Sequence, residues 1–136
     1  MTDNAAAAMP SQAIRVLVVD DNESVGKTFG WMLEVLGHDV RVARDGATAL
    51  DLARTFRPEV VMLDIGLPGM NGYELCQKMR AEPSLAGCVF VAQTGWSQPE
   101  HLERSKKAGF DHHWVKPIPM DRLEKLLNSL SSKAAA

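Results

Sequence analysis

Five polar residues stand at the ends of short apolar runs: Asp20 and Asp21, Asp64, Thr94 and Lys116. If the runs are strands whose ends meet, three carboxylates, a hydroxyl and an amine gather at one place. Carboxylates a few ångströms apart repel by roughly 4 kcal/mol per pair at an effective dielectric near 20. Something of opposite charge must offset that. Oxygen donors without soft competitors select a hard divalent cation, Mg²⁺ or Mn²⁺. Asp and Thr also cap helices after strands, and for any one of them that is a sufficient reason to be there. It does not serve for all of them together, nor for Lys116, which ends an apolar strand and precedes Pro117.

The elements that must position these groups alternate strand and helix five times. Arg15–Val19, Val40–Ala43, Val60–Leu63, Val89–Ala92 and His112–Val115 read as strands, the third apolar throughout, as a strand buried on both faces should be. The first helix spans Asn22 to Leu36, with Val25, Phe29, Met32, Leu33 and Leu36 at helical spacing and Gly37 as its stop. Asp45 caps the second, whose face is Ala49, Leu50, Ala53 and Phe56 and whose end is Pro58. Asn71 and Glu74 form a capping pair for the third, which runs to Arg80. Ser97, Pro99 and Glu100 start the fourth, closed by Gly109. Leu123, Leu126, Leu127 and Leu130 form the stripe of the fifth. This alternation predicts an α/β fold, a five-stranded parallel sheet with helices on both faces. Ligands in such sheets bind beyond the carboxyl ends of the strands, where the five polar residues fall.

The 136 residues suit one domain, and 46% hydrophobic with 24% charged residues is a globular mix. The expected division is a disordered leader over 1–13, one domain over 14–131 and a frayed tail over 132–136. A formal net charge of −2 predicts neither nucleic acid nor membrane as a partner. No stretch is long and apolar enough to span a bilayer. The first residues lack a basic head and a signal-length apolar run, so a cytoplasmic location is expected. Cys76 and Cys88 are then expected as reduced, buried thiols.

Four stretches together resemble the signatures of one family: Val16-Leu17-Val18-Val19-Asp20-Asp21-Asn22; Val61-Met62-Leu63-Asp64 with Pro68-Gly69-Met70-Asn71-Gly72; Thr94-Gly95; and Val115-Lys116-Pro117. From about Arg15 to Leu130 the chain looks like a receiver domain of two-component response regulators. The resemblance implies a flavodoxin-like strand order, 2-1-3-4-5. It implies Asp64 as phosphoacceptor, Asp21 and Asp64 as Mg²⁺ ligands with the Gly66 carbonyl, and Asp20 acting through a metal-bound water. Thr94 would bond the phosphoryl oxygen in the active state, and Lys116 would pair with Asp64 and then with the phosphoryl group. The implied partners are a histidine kinase or histidine phosphotransfer protein and an unknown downstream protein.

Several residues depart from the family pattern. Gly66, two past Asp64, has no side chain, while Trp96, two past Thr94, either covers the phosphoryl group or anchors its loop to the surface. His113 stands where the family often has the Tyr or Phe that rotates on activation, so it is a candidate switch residue with Thr94. Its titration could make that switch pH-sensitive; the alternative is a partly exposed strand histidine. His112 and His113 point to opposite faces of a strand and are not expected to share a metal. Trp31 and Val35 lie off the main stripe of the first helix; they either widen its buried face against the fifth helix or form a docking patch. Arg104, Lys106 and Lys107 are expected on a solvated face.

The expected function is a phosphorylatable switch that acts by binding a partner and promotes only its own phosphorylation and dephosphorylation. One alternative is a receiver from a hybrid histidine kinase, which Thr94-Gly95-Trp96 and Gly109-Phe110-Asp111-His112-His113 resemble. A second is a Mg²⁺-dependent aspartyl phosphohydrolase, disfavoured because that class carries an Asp where Gly66 stands. A third is a receiver that binds partners without phosphorylation, disfavoured by the complete set Asp20, Asp21, Asp64, Thr94 and Lys116.

Overall fold

The computed structural model describes residues 13–67, 71–95 and 99–135, without the side chains of 99–101 and 131–135. In chain order the elements are β1 (Arg15–Val19), α1 (Glu23–Val35), β2 (Asp39–Ala43), α2 (Gly46–Phe56), β3 (Val60–Asp64), α3 (Gly72–Arg80), a 3-10 turn (Pro83–Leu85), β4 (Val89–Thr94), α4 (Pro99–Ala108), β5 (His112–Val115) and α5 (Met120–Ala135). The five strands form one sheet in the order β2-β1-β3-β4-β5, and every neighbouring pair is parallel. This is the expected flavodoxin-like arrangement.

Strand residues alternate between two cores. Leu17, Val19, Val61, Leu63, Phe90 and Ala92 face Ala49 and Ala53 of α2, Leu75 and Met79 of α3 and Ala108 of α4. Val16, Val18, Val60, Met62, Val91 and Trp114 face Leu33 of α1 with Leu123 and Leu127 of α5. Leu33, Leu123 and Leu127 are fully buried, which stabilises the fold by about 2 kcal/mol each. The period of two carries past the apolar runs, so residues at the strand ends are already assigned to a face.

Helix ends follow the chemistry of their caps. The side chains of Asn22, Asp45 and Asn71 accept the backbone N–H of Val25, Thr48 and Glu74. Asn71 Nδ2 donates back to Glu74 Oε1 at 2.9 Å, completing the predicted pair. Gly37, at φ 96°, lets the chain reverse so that His38 N–H reaches the Leu33 carbonyl. The Ser97 cap expected for α4 lies outside the described residues.

Four details differ from the sequence reading. Strand β3 includes Asp64 and β4 continues through Gln93 and Thr94, because parallel pairing uses backbone groups and ignores side-chain polarity. The 3-10 turn was not anticipated; it closes where Cys88 N–H bonds the Leu85 carbonyl and Leu85 is buried. Helix α5 runs to Ala135, through most of the segment expected to fray. Trp31 and Val35 are 69% and 65% exposed, so they do not widen a buried face against α5. The α1 stripe that packs inward is narrower than that reading required.

Cys76 and Cys88 are free and buried, and desolvation pushes each thiol up to about 12. Neither is a ready nucleophile or metal ligand.

Candidate functional site

The strand ends bring the acidic residues and the amine together. Lys116 Nζ lies 3.1 Å from Asp20 Oδ2 and 3.0 Å from Asp64 Oδ2. Carboxylate oxygens of Asp20, Asp21 and Asp64 all lie within 4.8 Å of one another. Asp20 is fully buried and both its oxygens are engaged, Oδ1 by the Asn22 N–H and Oδ2 by Lys116. Asp21 is exposed, and Asp64 lies between the two. Asp64 Oδ1 accepts the Gly66 N–H at 2.8 Å, so Gly66 is folded against the carboxylate it follows.

The setting of Lys116 explains its charge. Burial alone would lower its pKa, but its hydrogen bonds to Asp64 and Asp20 more than offset that, and the amine stays protonated above its ordinary range. One ammonium facing three carboxylates leaves the crevice electronegative. The donor set is all oxygen, hard and clustered, which fits a Mg²⁺-type cation.

Two backbone features hold Asp64 in place. Strand β3 pairs Asp64 with Gln93 of β4, and the next residue, Ile65, donates to the Gln93 carbonyl at 3.2 Å. On the other side, α3 starts at Gly72 so close to β3 that an added Cβ would sit 2.5 Å from Ile65 Cα and 2.9 Å from the Asp64 carbonyl oxygen. Only glycine permits that approach. Pro68, Gly69 and Met70, between these points, lie outside the described residues.

Thr94 ends β4, one residue past the Asp64–Gln93 pair, and is 1% exposed. Its carbonyl accepts the Lys116 N–H at 2.7 Å, which ties β4 to the residue that bridges the carboxylates. The Lys116–Pro117 peptide is cis. Trp96 lies outside the described residues.

His113 stands beside Ala92 in the β4–β5 register. Its Nδ1 is 2.6 Å from Oγ of Ser105, a buried residue of α4. The candidate switch residue is therefore linked to a helix hydroxyl, a partner that sequence spacing did not reveal. His112 is exposed and its ring centroid lies 5.7 Å from that of Trp114, so it belongs to the opposite face. Arg104 is exposed but lies over the Tyr73 ring at 4.3 Å, while Lys107 pairs with Glu103 at 3.7 Å. The basic face of α4 is thus solvated, with one cation stacked on α3.

The residue that sequence reading missed is Gln93. It is fully buried, and neither its Oε1 nor its Nε2 has a hydrogen-bond partner among the described residues. Leaving a buried polar group unpaired costs about 1–3 kcal/mol. The available signal was a polar residue directly before Thr94, at the end of a strand read as stopping at Ala92.

A doubly wound parallel sheet with a charged crevice beyond its strand ends defines an α/β protein that works at that edge. The particular family follows from comparison. The response regulator receiver domain model matches residues 16–128, and the chain belongs to that family. It is 36% identical over 139 residues to the virulence sensor protein BvgS of Bordetella bronchiseptica, covering 96% of this chain but 11% of that protein. It is 32% identical over 114 residues to the polar-differentiation response regulator DivK of Brucella anthropi, covering 84% of this chain and 93% of DivK. Among solved structures, chemotaxis response regulator CheY4 of Vibrio cholerae superimposes with a TM-score of 0.80 at 29% identity, covering 87% of this chain and 98% of that one. Residues 16–128 thus form a receiver domain, and the chain spans about a tenth of the length of BvgS.

Proposed function

We propose that Asp64 accepts a phosphoryl group from a phosphohistidine of a histidine kinase or histidine phosphotransfer protein, and that the modified domain then changes its binding to a downstream protein. An Asp64 carboxylate oxygen forms the new O–P bond as the N–P bond breaks. The imidazole nitrogen leaves with the electron pair and takes up a proton. Asp21, Asp64 and the Gly66 carbonyl would hold Mg²⁺ or Mn²⁺ directly, and Asp20 through a water. When bound, the cation neutralises charge on the transferring group. Lys116 supplies the fixed positive charge beside the acceptor, and Thr94 bonds the phosphoryl oxygen afterwards. Positioning and electrostatics of this kind are most of what phosphoryl transfer requires.

The observation that carries the reading is Lys116 bridging Asp20 and Asp64 within the three-carboxylate cluster. Among the described residues, no helix is long and apolar enough to cross a membrane. Buried free thiols suit the reducing cytoplasm. The exposed Trp31 and Val35 on α1 favour that helix as the docking edge for the phosphodonor. The test is Asp64→Asn, incubated with acetyl phosphate or a phosphorylated kinase. Loss of label is expected, and undiminished labelling of the variant overturns the reading.

A second reading rests on the match to BvgS, of which this chain spans 11%. Here the same chemistry would serve a receiver carried within a hybrid sensor kinase. Reading the coding sequence on both sides of this segment in its genome distinguishes the two.

A further inference from the structure

Between α1 and the segment Lys116–Met120 lies a cavity of about 550 Å³. Small-molecule sites run to roughly 300–1,000 Å³ and are mostly apolar with a few placed polar groups. Phe29 and Met32 of α1 form part of the wall, and Ile118 and Met120 another part. Gln93 also lines it, with its carboxamide buried and unpartnered among the described residues.

These facts narrow the ligand. A purely apolar molecule would leave the Gln93 donor and acceptor unpaired. An anion would find no free positive charge, because Lys116, which also lines the cavity, already bonds two carboxylates. A neutral group with one donor and one acceptor side by side pairs both Gln93 atoms at once. A primary amide or a lactam edge has that pattern. The apolar walls call for a ring or short hydrocarbon behind it. Gln93 has no exposed surface, so the ligand must part the wall to reach it; Met32 and Met120 are half-buried, unbranched and able to adjust.

We propose that this cavity binds a small, neutral, largely apolar molecule ending in a primary amide or lactam edge, which pairs with the Gln93 carboxamide. Gln93 is the register neighbour of Asp64 in β3, so the site adjoins the acidic crevice and shares Lys116 with it. The proposal does not depend on Asp64 being phosphorylated.

The probe is benzamide, with ethylbenzene as the same ring lacking the hydrogen-bonding edge. Each is titrated into the ¹⁵N-labelled full chain and followed by amide chemical shifts. Benzamide should saturably shift the Gln93 side-chain NH₂ signals and the backbone signals of Phe29, Met32 and Ile118. Gln93→Leu should weaken benzamide by about tenfold or more while ethylbenzene binds at least as well. The dispersion of the variant's ¹⁵N amide spectrum checks that it is folded, and Gln93→Met replaces it if it is not. The proposal is overturned if benzamide leaves the Gln93 NH₂ signals unmoved, or if the Gln93 variant binds benzamide as tightly as the wild type. Equal weakening of both probes would also overturn it.

Discussion

Lys116 and Asp64 lie at opposite ends of a 3.0 Å hydrogen bond that joins β5 to β3 across the intervening strand β4. The same ammonium reaches Asp20 at the end of β1 at 3.1 Å. One side chain thus ties together three strand ends and compensates part of their negative charge.

Removing that ammonium should destabilise the metal-free protein. Lys116→Ala leaves Asp20 buried with its Oδ2 unpaired, beside Asp21 and Asp64. Breaking a fully buried pair costs about 3–5 kcal/mol. Lys116 keeps 32% of its side chain exposed, so about 2 kcal/mol is expected after solvent screening. A divalent cation can supply the lost charge. Urea unfolding of the variant should therefore show a deficit in EDTA that shrinks in Mg²⁺. An equal deficit in both would mean that the ammonium and the cation do not share these carboxylates.

Metal removal should stop labelling of Asp64, and the two neighbouring aspartates should differ. Asp20 has both oxygens engaged within the protein, whereas Asp21 is exposed. Asp21→Ala should weaken Mg²⁺ binding more than Asp20→Ala does, as read by titration calorimetry. Labelling at full rate in EDTA, or the reverse order of affinities, counts against the assignment.

Stability should fall on acidification through His38. Its Nδ1 accepts the Ile14 N–H at 3.1 Å, so that nitrogen must be unprotonated. Burial lowers the His38 pKa below the ordinary 6.5, and the charge of Glu59 only partly opposes this. The unfolded chain therefore takes up the proton more readily than the folded one. The contribution is present above pH 6.5 and is lost as pH falls through the lowered folded value. Urea unfolding at a series of pH values should show wild type losing more stability below pH 6.5 than His38→Asn, which keeps an acceptor that does not titrate. Parallel pH profiles would remove His38 from this role.

Much of the fold was legible because its signals are local. Short apolar runs between helical patterns marked β1 to β5, and Asn22, Asp45 and Asn71 announced helix starts that their side chains do cap. The site was legible for a related reason. Strand ends in a parallel sheet converge on one edge, so Asp20, Asp21, Asp64, Thr94 and Lys116 could be assigned to it from their positions alone.

What the tertiary structure decided depends on neighbours distant in sequence. Trp31 and Val35 are apolar residues of α1, yet the way that helix packs on β1 and β2 leaves them facing outward. The sequence puts the end of β4 at Ala92, before the polar Gln93; backbone pairing with β3 and β5 carries the strand past it, and its carboxamide is enclosed. Ser105 became the partner of His113 only when α4 packed on the sheet. Local pattern specifies which face and which edge a residue occupies. Burial and pairing depend on chain segments brought together from far apart, and a single polar letter such as Gln93 carries no record of them.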